Sequence, residues 1–231
     1  MEKILFLDNG VENDTYQAVN YWVPVLYYPF DLYRAAAGEW PSDLEPYSHV
    51  LITGSSASVL DDSEWMQREV ELIQSAVNRG KVVLGSCFGH QMIARAMFGL
   101  GAVTKRQKPD VGWADIEIIV DDPLLGSAGR ILNGYVFHYD EVCNLPQSEA
   151  KILARSAQCE NLAFRLVGKP VWGIQPHFEV GIIEGLKYFD IVSGEGIPTR
   201  QSFFSSDQRL PRDSGWIAPL MKSFHDMRPT S

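Results

Sequence analysis

The segment of this chain best suited to chemistry is a cysteine between glycines, Gly85-Ser86-Cys87-Phe88-Gly89-His90-Gln91. Before it, Lys81 to Leu84 is short and β-branched and reads as a buried strand. After it, His90 to Phe98 sets Met92, Ile93, Ala96 and Met97 on one side at helical spacing. The spacing predicts Cys87 on a tight strand-to-helix turn, where the flanking glycines permit a sharp, strained bend. Such a turn pushes one side chain out at the sheet edge. It also sets the sulfur at a helix N-terminus, whose partial positive charge and free N–H groups favour thiolate over thiol. This is the logic of strand, G-x-nucleophile-x-G, helix, with cysteine as the nucleophile. The same residues also suit an inert thiol in a glycine turn, because free cysteines are usually buried. The choice between the two rests on whether a base is at hand.

A cysteine nucleophile needs a base, and the base needs an orienting group. Gln175-Pro176-His177-Phe178-Glu179 offers both, directly after the apolar run Val171 to Ile174. At a strand end, a carboxylate two residues beyond an imidazole can swing behind it and fix its tautomer. A lone His-x-Glu is weak evidence. Paired with an elbow cysteine at the carboxyl end of another strand it is stronger, since parallel sheets gather their sites at that edge. Among the other histidines, His138 in Phe137-His138-Tyr139-Asp140-Glu141 also ends a strand and is a second candidate. His49 opens a strand, His90 lies in a helix's first turn, and His225 falls in the tail.

The elements that must position these groups are legible as an alternation. Ile4 to Leu7, Val23 to Tyr28 (interrupted by Pro24), His49 to Thr53 and Lys81 to Leu84 read as strands. A helix is expected from about Ser63 to Arg79, with Met66, Val70, Ile73 and Val77 as its apolar stripe and Gly80 as its stop. Strands alternating with helices imply right-handed crossovers and a parallel sheet. The middle changes character: Ala102 to Arg106, Ala114 to Val120, Tyr135 to His138, Lys151 to Ser156 and Leu162 to Val167 are hairpin-like and predict an antiparallel extension. Val171 to Ile174 returns as a strand and Glu179 to Val192 as a helix. The expected class is therefore α/β: a mostly parallel open sheet, helices on both faces, and an antiparallel extension.

Composition excludes some functions. With 231 residues, 45% hydrophobic and 21% charged, the chain has a substantial core. A net charge of -9 argues against nucleic-acid and anionic-membrane partners. Three cysteines, Cys87, Cys143 and Cys159, form neither a disulfide framework nor a metal cluster. No segment reads as a signal peptide or a membrane span, and a reducing cytoplasmic setting is expected.

The elbow together with Gly173-Ile174-Gln175-Pro176-His177-Phe178-Glu179 resembles the class I (triad) glutamine amidotransferases, in particular free-standing domains similar to the amidotransferase half of GMP synthase. The resemblance covers roughly residues 1–193 and implies a flavodoxin-like fold. Residues 194–231 would be an extension that packs on this domain or docks a partner, with Trp216, Ile217, Leu220 and Met221 as its apolar anchor. The resemblance implies Cys87 as nucleophile, His177 as base and then acid, and Glu179 as the orienting carboxylate. It implies an oxyanion hole from backbone N–H groups near Gly54, Ser55 and Phe88. Gln91 would line the substrate pocket, and the backbone of Phe137, His138 and Tyr139 would hold the α-amino and carboxylate groups of glutamine. The sequence departs from the common pattern in Ser86, in the order of Pro176 and Phe178, in Ser55, and in lacking a proline before the elbow strand.

The implied reaction is cysteine-dependent hydrolysis of glutamine to glutamate and ammonia through a thioester. It calls for no cofactor and no metal, and ammonia either passes to a synthase partner or is released. A γ-glutamyl peptidase acting on γ-glutamyl peptides or conjugates is the alternative, and a non-enzymatic binding role is a third. An intact Cys/His/Glu set argues against the third.

Overall fold

The structure, a computed structural model, describes residues 2–11, 16–194 and 212–230. Among these, the strands form one mixed sheet in the order β2-β1-β3-β4-β9-β8-β7-β5-β6. The parallel part comprises β1 (Ile4–Asp8), β2 (Phe30–Arg34), β3 (His49–Ile52), β4 (Val82–Ser86) and β9 (Val171–Ile174). From β9 the sheet continues antiparallel through β8 (Ala163–Leu166), β7 (Ala150–Arg155), β5 (Val103–Ile118) and β6 (Ile131–Val142). The expected α/β class, with its antiparallel extension, is the class observed.

Alternation along the parallel strands builds two cores. Ile4, Phe6, Leu51 and Leu84 face one side, with Trp22 of α1 (Ala18–Trp22) and Leu220, Met221 and Phe224 of α5 (Ile217–Asp226). Leu5, Leu7, Val50, Ile52 and Val83 face the other, against α2 (Glu64–Asn78) and α3 (Phe88–Phe98). Strands buried on both faces must read as unbroken apolar runs, which is how β1, β3 and β4 appear in the sequence.

Three expectations need correction. Val23 to Tyr28 is not a strand: Val23–Val25 forms a 3-10 turn with Pro24 near its start, and β2 follows at Phe30. Proline lacks an N–H and suits the first helical turn better than a sheet ladder. Ala102 to Arg106 and Ala114 to Val120 are one strand, β5, whose register shifts between Lys105 and Asp110. That irregularity contains Pro109 and a run of polar residues, which reads locally as a break. The helix expected from Glu179 begins at Ile182 instead, as α4 (Ile182–Gly194). Glu179 lies in the turn before it, engaged elsewhere. Within the C-terminal extension, residues 195–211 lie outside the described residues.

Helix α5 docks on β3 through a neutral histidine, His49. His49 Nε2 lies 3.1 Å from the Phe224 carbonyl oxygen and Nδ1 lies 2.8 Å from the Ser48 hydroxyl, so Nε2–H donates and Nδ1 accepts. Burial pushes His49 down to about 4. The unfolded chain takes up this proton near pH 6.5 and the folded chain only near 4. The contribution is therefore complete above pH 6.5 and is lost as pH falls towards 4.

Two outcomes follow. Phe224→Ala, which empties a fully buried site, costs about 3–5 kcal/mol and lowers the melting midpoint by roughly 10 °C; thermal unfolding followed by circular dichroism measures it. Urea unfolding at pH 7.5 and 4 shows wild type losing about 3 kcal/mol more on acidification than His49→Gln. An equal loss in both proteins contradicts the neutral-histidine seam.

Candidate active site

Cys87 sits between β4 and α3 with φ 51° and ψ -106°. The turn is sharp because its neighbours leave no room for side chains. A Cβ on Gly85 would meet the Gly89 carbonyl oxygen at 2.4 Å, and one on Gly89 would meet that of Ile52 at 2.4 Å. The Cys87 N–H donates to the Ile174 carbonyl at 2.8 Å, tying the elbow to the end of β9. Three residues beyond Ile174 stands His177, whose own N–H donates to the Tyr135 carbonyl at 2.7 Å. His177 is thus pinned between the parallel strands and β6.

Cys87 and His177 stand side by side on the cavity, close enough for the sulfur to raise the imidazole pKa. On the other side of the ring, His177 Nδ1 is 2.7 Å from Glu179 Oε1. With Nδ1 engaged there, Nε2 is the nitrogen left for the sulfur. Burial disfavours charge on His177, but the Cys87 sulfur and the Glu179 carboxylate outweigh it, and its pKa stands well above that of a free imidazole. All three side chains are nearly inaccessible.

Gly54, just past β3, packs against this group. A Cβ there would lie 3.2 Å from His177 Cε1 and 3.4 Å from Cys87 Cβ. The Phe88 N–H opens α3 and has no acceptor within the helix. A cavity of about 500 Å³ covers the site, and Ser55, Gln91, Phe137, His138 and Tyr139 line it along with Cys87 and His177. The expected site residues are thus brought together, Phe88 through its backbone, while its ring stacks on Trp65 in the core. Their orientations differ. Gln91 Nε2 donates to the Asp140 carbonyl at 2.9 Å and to Gln175 Oε1 at 3.0 Å, so Gln91 braces the wall. The Phe137 carbonyl oxygen is 3.7 Å from the Cys87 sulfur. His138 turns Nδ1 to the Asp140 carbonyl at 2.9 Å and places Nε2 3.6 Å from Asp110, while His177 is the histidine that packs with Cys87 against Gly54.

Two features were not found by sequence reasoning. Tyr16 lines the cavity and donates its hydroxyl to Glu179 Oε1 at 2.6 Å. The Ser58 hydroxyl donates to the Asp140 carboxylate at the cavity wall. Tyr16 is 163 residues from its partner and follows no local pattern. Ser58 lies in the serine-rich loop after β3, which drew notice for its backbone alone.

The chain belongs to the class I glutamine amidotransferase family, whose profile, described as glutamine amidotransferase class-I, matches residues 5–186. Gamma-glutamyl peptidase 4 of Arabidopsis thaliana is 35% identical over 141 residues, 57% of this chain and 54% of that protein. The chain thus spans about half the length of this plant relative. One subunit of the glutamine-hydrolyzing GMP synthase of Methanothermobacter thermautotrophicus is 31% identical over 144 residues, 61% of this chain and 76% of that one. A crystal structure of a glutamine amidotransferase from Thermotoga maritima superposes with a TM-score of 0.73 at 21% identity, over 98% of this chain and 99% of that one, which shows the shared fold. The family and these relatives support an enzyme of the amide-hydrolysing, amide-transferring kind.

The three thiols differ in surroundings. Burial pushes Cys159 up to about 12, and burial with the Glu141 charge raises Cys143. Both stay protonated at neutral pH. Iodoacetamide at pH 7 is expected to alkylate Cys87 first, as peptide mapping by mass spectrometry will show. Faster labelling at Cys143 or Cys159 contradicts the assignment of the reactive thiol.

Proposed function

We propose that this member of the family hydrolyses the γ-amide of a γ-glutamyl substrate through a thioester on Cys87, glutamine being the simplest such substrate. The observation that carries the reading is the grouping of the three side chains: Cys87 and His177 line the cavity together, both against Gly54, and His177 Nδ1 meets Glu179 Oε1 at 2.7 Å behind them. The sulfur attacks the γ-carbonyl carbon. The developing oxyanion is met by backbone N–H groups of Gly54, Ser55 and Phe88, each worth about 10²–10³ in rate. The carbon–nitrogen bond breaks as His177 gives its proton to the departing nitrogen, which leaves as ammonia from glutamine. Water, deprotonated by His177, then opens the thioester to release glutamate. Glu179 fixes the ring and balances its charge.

In this reading Gln91 braces the pocket wall, and the backbone of Phe137, His138 and Tyr139 holds the α-amino and carboxylate groups. Residues 1–193 carry the site, and the extension contributes α5, which packs on the sheet away from it. A cavity of about 500 Å³ is in the range that holds drug-sized ligands and is roomier than free glutamine requires. That room, with the likeness to a plant γ-glutamyl peptidase, favours a second version in which the leaving group is the amine of a γ-glutamyl peptide or conjugate. The likeness to one subunit of a GMP synthase supports a version in which ammonia passes to a synthase partner.

The test is release of glutamate from glutamine and from a γ-glutamyl dipeptide by the purified chain. Cys87→Ala is expected to abolish turnover of both while leaving the thermal midpoint in place. Glu179→Gln is expected to lose at least about tenfold less kcat than His177→Ala, because the carboxylate orients while the imidazole carries the proton. Wild-type-like turnover by Cys87→Ala ends the proposal. Faster cleavage of the dipeptide selects the peptidase version.

A further inference from the structure

The Glu179 carboxylate is held from behind by a group outside the Cys/His/Glu set. Tyr16 donates to Glu179 Oε1 at 2.6 Å, and the same oxygen faces His177 Nδ1 at 2.7 Å. The Trp22 indole N–H donates to the Tyr16 hydroxyl oxygen at 3.1 Å, which directs the hydroxyl proton forward to the carboxylate. The Tyr16 ring stands edge-on to the His177 ring, centroids 5.2 Å apart. Its other flank stacks on Tyr21 at 5.5 Å, with 5° between the planes. Tyr21 in turn shares a 2.8 Å hydrogen bond with Tyr188 of α4. Glu179 Oε2 is buried and has no hydrogen-bond partner among the described residues, so Oε1 alone fixes the carboxylate's rotation.

We propose that Tyr16 is a positioning residue of the site: it locks Glu179 in the rotation that presents Oε1 to His177, and Trp22 orders the hydroxyl for that task. This rests on the reading of Cys87, His177 and Glu179 as the reacting set. A buried carboxylate held at one oxygen by a single contact keeps freedom to turn about its last bond, and a second donor meeting the same oxygen from another direction, as Tyr16 does beside His177, removes it. Burial, and then the adjacent Glu179 charge, keep the Tyr16 pKa well above that of a free phenol. The hydroxyl therefore remains a donor across the working range. Its ring also walls the cavity, so the hydroxyl and the ring have separable roles, and Tyr16→Phe removes the first alone.

The experiment is a double-mutant cycle of Tyr16→Phe with Glu179→Gln, reading kcat and KM for γ-glutamyl hydrolysis, with thermal midpoints to show that each protein folds. Tyr16→Phe is expected to lower kcat about 10- to 100-fold, the factor a hydrogen bond to a charged group carries, with KM within about twofold. In the Glu179→Gln background the same change is expected to cost almost nothing, because the group it acts through has lost its charge. Equal losses in both backgrounds, or wild-type kcat in Tyr16→Phe, overturn the proposal. If wild type turns over no γ-glutamyl amide, the functional reading falls separately. The pH profile of Cys87 alkylation then tests Tyr16 without substrate. Matching displacement in Tyr16→Phe, Glu179→Gln and the double variant sustains the role, and a wild-type profile in Tyr16→Phe overturns it.

Discussion

Cys87 holds a backbone conformation, φ 51° and ψ -106°, that costs a non-glycine residue on the order of 1–3 kcal/mol. Everything around the site serves to impose it. Val82, Val83 and Leu84 lead into the turn fully buried between two strands, and α3 leaves it with its first nine residues buried. Gly85 and Gly89 let strand, turn and helix close to distances that a side chain would forbid. The Gly89 N–H donates to the Thr53 carbonyl at 3.2 Å, and the Cys87 N–H donates to Ile174 at 2.8 Å. One strained turn therefore fixes three chains at once: the sulfur, the Gly54 loop after β3, and the segment after β9 that carries His177.

The two halves of the sheet divide the work. The inner parallel strands β3, β4 and β9 are buried on both faces, and the parallel half supplies the fixed points at its carboxyl edge, where open α/β sheets place their ligands. The antiparallel half supplies the facing wall: Tyr135, Phe137 and Tyr139 come from β6 and Lys105 from the irregular part of β5. Besides the β8–β9 pairing, His177 links the halves through its backbone bond to Tyr135. Buried charge at the site is self-compensating. Burial opposes charge on His177, while the sulfur and the Glu179 carboxylate beside it more than restore it.

What could be read from sequence was what is local. The G-x-C-x-G turn, the apolar runs of β1, β3, β4 and β9, and the stripe of α2 each declare themselves within a few residues, because burial on two faces or at helical spacing constrains every position. His177 and Glu179 were legible as a pair because two residues suffice to bring them together. Pro24 misled because a proline inside an apolar stretch reads equally as an interrupted strand and as the start of a turn. Pro109 split β5 in the reading because a register shift leaves no apolar alternation to follow. Glu179 was expected inside α4 since nothing in its neighbours reveals that its carboxylate is held by Tyr16. That contact, like the bracing of Gln91 by Asp140 and Gln175, is set by the packing of distant segments.

The most direct measurement of the central claim is intact-protein mass spectrometry on wild type mixed with a γ-glutamyl dipeptide or glutamine and quenched in acid within a turnover, followed by peptide mapping. The expected result is a mass increment of one γ-glutamyl group, confined to the peptide that carries Cys87 and enriched in His177→Ala relative to its rate of hydrolysis. Hydrolysis that proceeds with no acyl adduct, or an adduct on any other residue, would contradict a thioester on Cys87.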